Sequence, residues 1–364
     1  MKLPAYVRKM DGLLVLATVF LACFGVLELI GMAHNNAAFA LYRNKQILFS
    51  LLGVALMFAV SFIDYRFFKN NSYAIILLYA FALVSLGILL ALGSAVRGAT
   101  SWFRLGEFAF GPVELAKIAV IMLLAKYFSA RHIEVHRVFH VMVSFAYVAA
   151  PLALVLLQPD LGSAIIIFSV WFCILFFSGM SKKHVAMLLI LGVLASGFAW
   201  TSMLKPYQKV RILSFLNVER DPQGSGYNVI QSMIAIGDGG AFGKGLGYGS
   251  QVQLGFLPES HTDFMFASIA EEFGFAGVAL IFFLLCLLFW RITRIALKAE
   301  NNFAKLFCVG MIVLLFVHVT INMGMNLGVM PVTGIPFPFV SYGGSSLLSL
   351  FTAIGIVQSI KTHG

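Results

Sequence analysis

The stretch FGFAGVALIFFLLCLLFW, residues 273–290, follows directly on PESHTDFMFASIAEE, residues 258–272. A helix that crosses a membrane needs about 20 mostly apolar residues, and the two segments together supply them. The apolar residues are continuous rather than alternating, which excludes a strand of a membrane β-barrel. The sequence therefore predicts a membrane helix near residues 263–290. Its start carries charged residues where burial of charge is most costly: Glu259, His261, Asp263, Glu271 and Glu272.

The whole chain has the composition of a membrane protein. Of its 364 residues 60% are hydrophobic and 11% are charged, and the mean hydropathy of +0.94 lies far outside the range of a soluble domain. We predict an all-α polytopic membrane protein, with about ten transmembrane helices in one bundle and residues 1–364 in a single integral membrane domain. The predicted spans lie near 13–32, 46–63, 73–93, 112–128, 138–157, 162–178, 184–203, 263–290, 304–326 and 344–360.

The positions of Lys and Arg predict the orientation, because loops on the cytoplasmic side of a membrane are enriched in these residues. If both termini are cytoplasmic, that side collects 15 of the 25 basic residues. Basic residues spread along one membrane face fit anionic lipid headgroups, so nucleic-acid binding is not expected. The cytoplasmic set is Lys2, Arg8, Lys9, Arg66, Lys69, Lys126, Arg131, Arg137, Lys182, Lys183, Arg291, Arg294, Lys298, Lys305 and Lys361.

Three irregular segments fall on the predicted outer face. They are residues 93–112, residues 329–346 and the long loop of about 204–262 between the seventh and eighth helices, in which VIQSMIAIGDGG has a helical pattern. Irregular backbone near a bilayer is tolerated where it is buried in protein or lines a wet cavity. We therefore expect a cavity that opens outward. The glycine-rich run at 237–249 is not a nucleotide loop, because Gly245 rather than Ser or Thr follows Lys244.

Four ionisable residues in or beside the predicted spans have competing interpretations. Glu114 and Lys117 stand at i and i+3, so they share a helix face and can pair, either as a structural ion pair or as a substrate-facing one. Asp160, between the fifth and sixth spans, is suited to capping the following helix. Glu28 has no obvious partner in the sequence, and its role stays open.

Asp263 is the candidate catalytic residue, because it stands at the outer mouth of the eighth span; the alternative is a helix cap. If the helix begins at this residue, Glu271 lies roughly 12 Å deeper and Glu272 on the opposite face, which favours packing or conformational roles for both glutamates. A lone carboxylate with cations nearby suits transfer of a sugar from a lipid diphosphate, since a base deprotonates the acceptor and positive charge stabilises the leaving group. The predicted cations are Arg104, Lys117, Lys205, Lys209, Arg211 and Lys244.

Five segments in their order also resemble the SEDS proteins, the shape, elongation, division and sporulation family. They are GPVELAKIAV at 111–120, QPDLGSA at 158–164, residues 224–251, residues 254–275 and GIPFPFVSYGGSS at 334–346. HTDF and PVTGIPFPFVSYGG are more similar to the elongation branch, RodA, than to the division branch, FtsW. The sequence departs from the family at Ser101 and Gly111, where many members carry Arg and Gln.

The resemblance implies a ten-helix peptidoglycan glycosyltransferase that polymerises lipid II on the outer face of the cytoplasmic membrane. It implies Asp263 as the catalytic aspartate and functional roles for Glu114, Lys117 and Asp160. Arg104 is proposed as a substitute cation. The substrate-binding set is predicted to be Glu114, Lys117, Arg104, Asp160, Lys205, Arg211, Gln231, Lys244, His261 and Ser341.

The same resemblance implies partners and leaves alternatives open. The partners are a class B penicillin-binding protein, which is a transpeptidase, lipid II, and other membrane proteins of the elongation complex. No metal-ligand spacing is present and no cofactor is assigned, although a divalent cation such as Mg²⁺ or Mn²⁺ could share the stabilisation of the leaving group. The alternative functions are a flippase for lipid-linked precursors and a non-catalytic scaffold of the wall-synthesis complex.

Overall fold

A computed structural model describes residues 9–35, 37–92, 103–105, 108–131, 138–203, 209 and 225–364. The long apolar runs form helices, as predicted, and most of these helices pack against one another. Their bounds are α1 Gly12–Asn35, α2 Ala38–Phe62, α3 Arg66–Asn70, α4 Ser72–Leu92, α5 Pro112–Ala130, α6 Val138–Leu157, α7 Leu161–Phe177, α8 Lys182–Phe198, α9 Ser225–Asp238, α10 Ser250–Gln253, α11 Met265–Lys298, α12 Asn302–Asn326 and α13 Gly344–His363.

One small β-hairpin departs from the all-helical prediction. Strands β1 Phe103–Leu105 and β2 Phe108–Phe110 pair antiparallel within the outer segment before α5. Pro112 occupies the first turn of α5, where its missing N–H costs no hydrogen bond, so the strand ends and the helix begins there. The hairpin leads directly into the helix that carries Glu114 and Lys117.

Each of the ten predicted spans contains a helix. Within the described residues, seven helices are long and apolar enough to cross a membrane: α1, α2, α4, α6, α11, α12 and α13. Helix α7 is apolar but shorter, and α5 and α8 are charged near their starts. The chain is therefore a multi-pass helical membrane protein, and the count of ten crossings stays a prediction. The second span was predicted to begin at 46, whereas α2 begins eight residues earlier at Ala38.

The two ends of the described chain lie on the same face of the bundle. The backbone N–H of Asp11 donates to Gln358 Oε1 at 2.9 Å, and Gln358 Nε2 donates back to the carbonyl of Asp11 at 3.0 Å. The Asp11 carboxylate also caps α1 through Leu14 N–H and pairs with Arg291 at the far end of α11. Both ends of a chain lie on one side of a membrane when the chain crosses it an even number of times, and the predicted ten crossings meet this condition.

Helix α12 lies at the centre of the bundle and packs against α5, α7 and α11, while α13 packs along α2. The contact between α2 and α13 is close because Gly355 has no side chain. A Cβ at Gly355 would stand 2.7 Å from the backbone carbonyl oxygen of Met57. Small residues allow such approach of membrane helices, which gain stability from packing rather than from the hydrophobic effect.

Helix α11 is interrupted near its outer end, and the glycine-rich segment 239–249 fills the interruption. Gly274 has φ 63° and ψ −162°, which ends the regular helical hydrogen bonding around it. The carbonyls of Glu271 and Glu272 accept instead from the N–H groups of Lys244 and Gly245, at 2.9 and 3.0 Å. The N–H groups of Phe275 and Ala276 likewise donate to the loop. The sequence prediction did not include this break.

Candidate active site

Asp263 lies in a tight turn that precedes α11, and not in the helix itself. The N–H groups of Thr262 and Phe264 both donate to the carbonyl of Glu259, which closes the turn. The helix begins at Met265, and its N-cap is Phe264 without a side-chain capping bond. The alternative that Asp263 caps this helix is therefore wrong. The placement of Glu271 and Glu272 assumed a helix that begins at Asp263, whereas the helix begins two residues later.

The segment 334–342 holds this turn from the other side. Ser341 Oγ donates to the carbonyl of Thr262 at 2.6 Å, and the N–H of Tyr342 donates to the carbonyl of His261 at 2.9 Å. Asp263 Oδ2 lies 3.6 Å from the position that a Cβ on Gly334 would occupy. Three predicted site residues, Asp263, His261 and Ser341, thus come together at the contact of two chain segments.

Strained backbone marks both segments. Glu259 has φ 53° and Phe339 has φ 64°, and neither is a glycine. Left-handed backbone at such residues costs roughly 1–2 kcal/mol each and clusters at functional sites. The Asp263 side chain is partly exposed, whereas the next residue, Phe264, is buried. Asp263 is therefore not fully buried, while the backbone of its turn is fixed by hydrogen bonds.

Aromatic rings surround His261. Its ring centroid lies 4.3 Å from that of Tyr42, 5.6 Å from that of Phe39 and 5.9 Å from that of Tyr342. Tyr42 and Phe39 come from the first turns of α2, so this helix forms one wall beside the turn. Burial, and to a lesser extent the neighbouring Tyr42, raises the pKa of Tyr342 above its ordinary value.

Two asparagines that the sequence reasoning missed bind the backbone of Asp263. Asn322 Nδ2 and Asn326 Nδ2 each donate to its carbonyl at 3.0 Å, and both side chains are fully buried. They stand at i and i+4 on α12, with His318 one turn earlier. Three polar residues at four-residue spacing in a mostly apolar helix were the available signal.

Glu114 and Lys117 form the predicted ion pair, with 2.8 Å between Lys117 Nζ and Glu114 Oε1. The two side chains are 7% and 1% exposed. Lys117 Nζ also lies 3.3 Å from His318 Nε2, so His318 extends the pair onto α12. The arrangement is a buried polar triad, and a role for it in substrate binding stays a prediction.

Asp160 caps α7, as its sequence position suggested, by accepting from the N–H of Ser163 at 2.9 Å. Gln231 lies half-buried on α9.

Lys244 donates to Asp238 at 2.8 Å, which raises the pKa of Lys244, and it lies 3.6 Å from Glu271 Oε1. Lys244 is therefore engaged within the outer loop, and its role at a diphosphate stays a prediction.

For the remaining predicted cations, the structure provides no side-chain contacts or distances. Arg104 lies in β1, but its side chain is outside the described part of the chain. Lys205 and Arg211 also lie outside the described residues. The structure therefore does not test their assignment to the leaving group. Among the described residues, no group of three or more His, Cys, Asp or Glu side chains is placed to hold a metal ion, and the divalent-cation expectation stays a prediction.

Glu28, Glu271 and Glu272 come close together inside the bundle, and all three are buried. Glu271 Oε1 accepts from Gln251 N–H and Ser250 Oγ, while Glu272 Oε2 accepts from Gly247 N–H. These bonds hold the glycine-rich segment and the start of α10 to α11, which is the kind of contact expected from the packing or conformational roles predicted for the two glutamates. Both Glu28 oxygens are without a hydrogen-bond partner among the described residues.

The site thus combines a partly exposed carboxylate, a fixed backbone and a neighbouring glycine that leaves space beside the carboxylate. A carboxylate in that setting can accept a proton from a hydroxyl group.

Comparison with known proteins identifies relatives along the whole chain. Residues 7–364 match the family described as cell cycle protein, FtsW/RodA/SpoVE. The chain is 40% identical to the peptidoglycan glycosyltransferase MrdB of Escherichia coli K12, over 79% of this chain and 77% of that protein. It is 36% identical to stage V sporulation protein E of Bacillus subtilis 168, over 97% of each.

Solved structures give the same result. A structure described as a peptidoglycan synthase complex that coordinates polymerization and crosslinking matches with a TM-score of 0.80 and 33% identity, over 97% of each chain. The crystal structure of the rod shape determining protein RodA of Thermus thermophilus matches with a TM-score of 0.72 and 29% identity, over 97% of this chain and 96% of that one. The chain belongs to the FtsW/RodA/SpoVE family, the SEDS family that its motifs resemble.

Proposed function

We propose that this protein, a peptidoglycan glycosyltransferase, polymerises lipid II into glycan strands during cell elongation and uses Asp263 as its general base. The observation that carries the proposal is the placement of Asp263. Its carboxylate lies beside Gly334 in a partly exposed turn, and the segment 334–342 and α12 donate hydrogen bonds to the backbone of that turn. The names of the curated relatives, among them a peptidoglycan glycosyltransferase RodA of Treponema pallidum at 32% identity, support the activity.

The reaction needs one base and no covalent intermediate. The Asp263 carboxylate accepts the proton of the acceptor sugar's 4-hydroxyl while the hydroxyl oxygen attacks the anomeric carbon of the donor. The bond from that carbon to the diphosphate oxygen breaks, and its electron pair leaves with undecaprenyl diphosphate. A single displacement of this kind inverts the configuration at the anomeric carbon.

The leaving group carries negative charge, so it needs cations rather than a proton donor. Arg104, Lys205 and Arg211 are the residues that we propose for this role, because Lys244 and Lys117 are paired with carboxylates. A divalent cation such as Mg²⁺ or Mn²⁺ could share the work.

We also propose a transpeptidase partner. The solved complex that matches this chain coordinates polymerization with crosslinking, which supports pairing with a class B penicillin-binding protein.

The cytoplasmic membrane of a bacterium, with residues 11 and 358 at its inner face, is the proposed location. Arg291, Arg294 and Lys298 at the end of α11 lie toward the face where Asp11 meets Gln358, which agrees with an inward orientation of that face.

The flippase and scaffold alternatives have less support. A translocation path would be lined by accessible polar groups, whereas Glu114 and Lys117 are paired, buried and bound to a third helix through His318. A scaffold would not require a partly exposed carboxylate at a strained turn.

One experiment separates the three functions. The purified protein is reconstituted in liposomes with its transpeptidase partner and lipid II, and glycan strands and transbilayer movement of the lipid are measured in the same vesicles. We expect glycan strands from the wild type and none from the Asp263→Asn variant, with correctly folded protein in both. Translocation without any polymerisation would support the flippase function. The absence of both polymerisation and translocation would support the scaffold function.

A further inference from the structure

Asn326 occupies a specific position at the start of α11. Its Nδ2 donates to the carbonyl of Asp263 at 3.0 Å, and its Oδ1 accepts from the N–H of Ala267 at 3.2 Å. The carbonyl of residue 263 and the N–H of residue 267 are the i and i+4 groups that bond to each other in a continuous helix. The side-chain amide of Asn326 therefore lies between the carbonyl of Asp263 and the N–H of Ala267, and its two hydrogen bonds replace the single helical bond between them.

The consequence is that the helix cannot extend back to Asp263. Ser268 N–H still bonds to Phe264, which is the first hydrogen bond of this helix. One residue earlier, the Asn326 amide satisfies both backbone groups, so Asp263 keeps a non-helical backbone without losing a hydrogen bond. Its side chain is then directed by the turn rather than by the helix.

Asn322 completes the arrangement from the previous turn of α12. One Nδ2 hydrogen goes to the carbonyl of Asp263 at 3.0 Å, and the other goes to the carbonyl of Ile335 at 2.7 Å. Ile335 follows Gly334, the residue that borders the Asp263 carboxylate. One side-chain amide thus fixes the distance between the turn that carries the base and the segment that faces it.

The two asparagines are themselves fixed. Asn326 Nδ2 donates to the carbonyl of Asn322 at 2.8 Å, and Ser232 Oγ on α9 donates to the carbonyl of Asn326 at 2.8 Å. Both side chains are fully buried on the central helix of the bundle. Their dense bonding leaves little freedom for either amide to move.

We propose that Asn322 and Asn326 are positioning residues that hold the Asp263 carboxylate beside Gly334 in the geometry of a general base. The inference rests on the proposed function, because it assigns these residues to the same reaction. Neither amide touches substrate; each acts through the backbone of Asp263. A displacement of about 1 Å in a catalytic group costs on the order of 100-fold in rate, so loss of either amide should be visible in kcat.

The test compares Asn326→Leu and Asn322→Leu, which keep the side-chain size and remove the amide, with a matched control on the same helix. Asn301→Ala removes a bonded amide at the opposite end of α12, where Asn301 caps the helix and donates to Tyr65. We expect kcat for lipid II polymerisation to fall roughly 10- to 100-fold in both leucine variants, with KM nearly unchanged. The control should lose stability but keep kcat.

A readout that does not depend on activity is hydrogen exchange of the backbone at residues 258–268. We expect faster exchange there in Asn326→Leu than in the wild type or in Asn301→Ala, because the turn loses its two central bonds. Wild-type kcat and wild-type exchange in both leucine variants would overturn the inference, as would an equal fall of kcat in the control. Full activity of Asp263→Asn would instead contradict the proposed function, and exchange would still test the role of the asparagines.

Discussion

Replacement of Lys117 by methionine should reveal what the buried ion pair contributes. The Glu114 carboxylate is 7% exposed and would lose the ammonium group that now lies 2.8 Å away. Removal of one partner of a buried pair leaves an uncompensated charge and typically costs 3–5 kcal/mol, and the cost in this bundle should be about that size. We expect the free energy of unfolding of Lys117→Met to fall by this amount.

The double variant Glu114→Gln with Lys117→Met should recover most of the loss. It removes both charges, and well-packed neutral side chains often match or exceed the stability of a buried pair. The cycle should therefore give an interaction energy of several kcal/mol between the two positions. The measurement is denaturant unfolding of the purified protein in detergent micelles for the wild type, both single variants and the double variant.

The exposed pair between Arg66 and Glu300 provides the control. It has the same 2.8 Å distance, but its side chains are 44% and 55% exposed. Arg66→Met should change the unfolding midpoint little, because solvent screens an exposed pair. If Lys117→Met is as stable as the wild type, or the double variant is less stable than either single variant, the reasoning about burial is refuted. If a stable double variant still polymerises lipid II, the Glu114–Lys117 pair is structural. If a stable double variant has lost polymerisation, the pair serves substrate binding.

Three further predictions concern the scaffold around the site. Gly274→Ala should lower the free energy of unfolding by at least ~2 kcal/mol, because alanine is disfavoured at φ 63° and its Cβ would clash with the N–H nitrogen of Gly243. The same variant should increase hydrogen exchange across residues 239–249. Unchanged exchange would contradict the packing of this segment against α11. Asp11→Ala should lower the unfolding free energy by about 2–4 kcal/mol, measured by denaturant unfolding, because it removes a helix cap and the partner of Arg291. Asp160→Asn should keep both stability and polymerisation, since asparagine caps helices as well as aspartate does, whereas loss of polymerisation alone would show a substrate role.

The helical bundle was largely predictable from the sequence, and the reason is physical. Each membrane helix needs a long apolar run, and such runs are visible without knowledge of their neighbours. The i, i+3 spacing also predicted the bond between Glu114 and Lys117, because both residues lie on one helix. The capping role of Asp160 was visible for the same local reason.

The environment of Asp263 was not predictable in the same way. The turn before α11 exists because Asn326, more than sixty residues later, replaces a helical hydrogen bond. The break at Gly274 is stable because a distant glycine-rich segment satisfies the freed carbonyls. Contacts between residues so far apart in the chain leave no periodic pattern, so neither the turn before α11 nor the break at Gly274 is visible in the local sequence.

The rate of glycan polymerisation by Asp263→Asn tests the central claim most directly. The variant keeps the size of the side chain, and the bonds from Asn322 and Asn326 to the backbone carbonyl do not depend on the carboxylate. With saturating lipid II and the transpeptidase partner present, we predict a fall in kcat of at least ~100-fold, as expected for loss of a general base, while Asp238→Asn in the outer loop polymerises like the wild type. Polymerisation by Asp263→Asn at the wild-type rate, with the fold intact, would contradict the assignment of this carboxylate as the base.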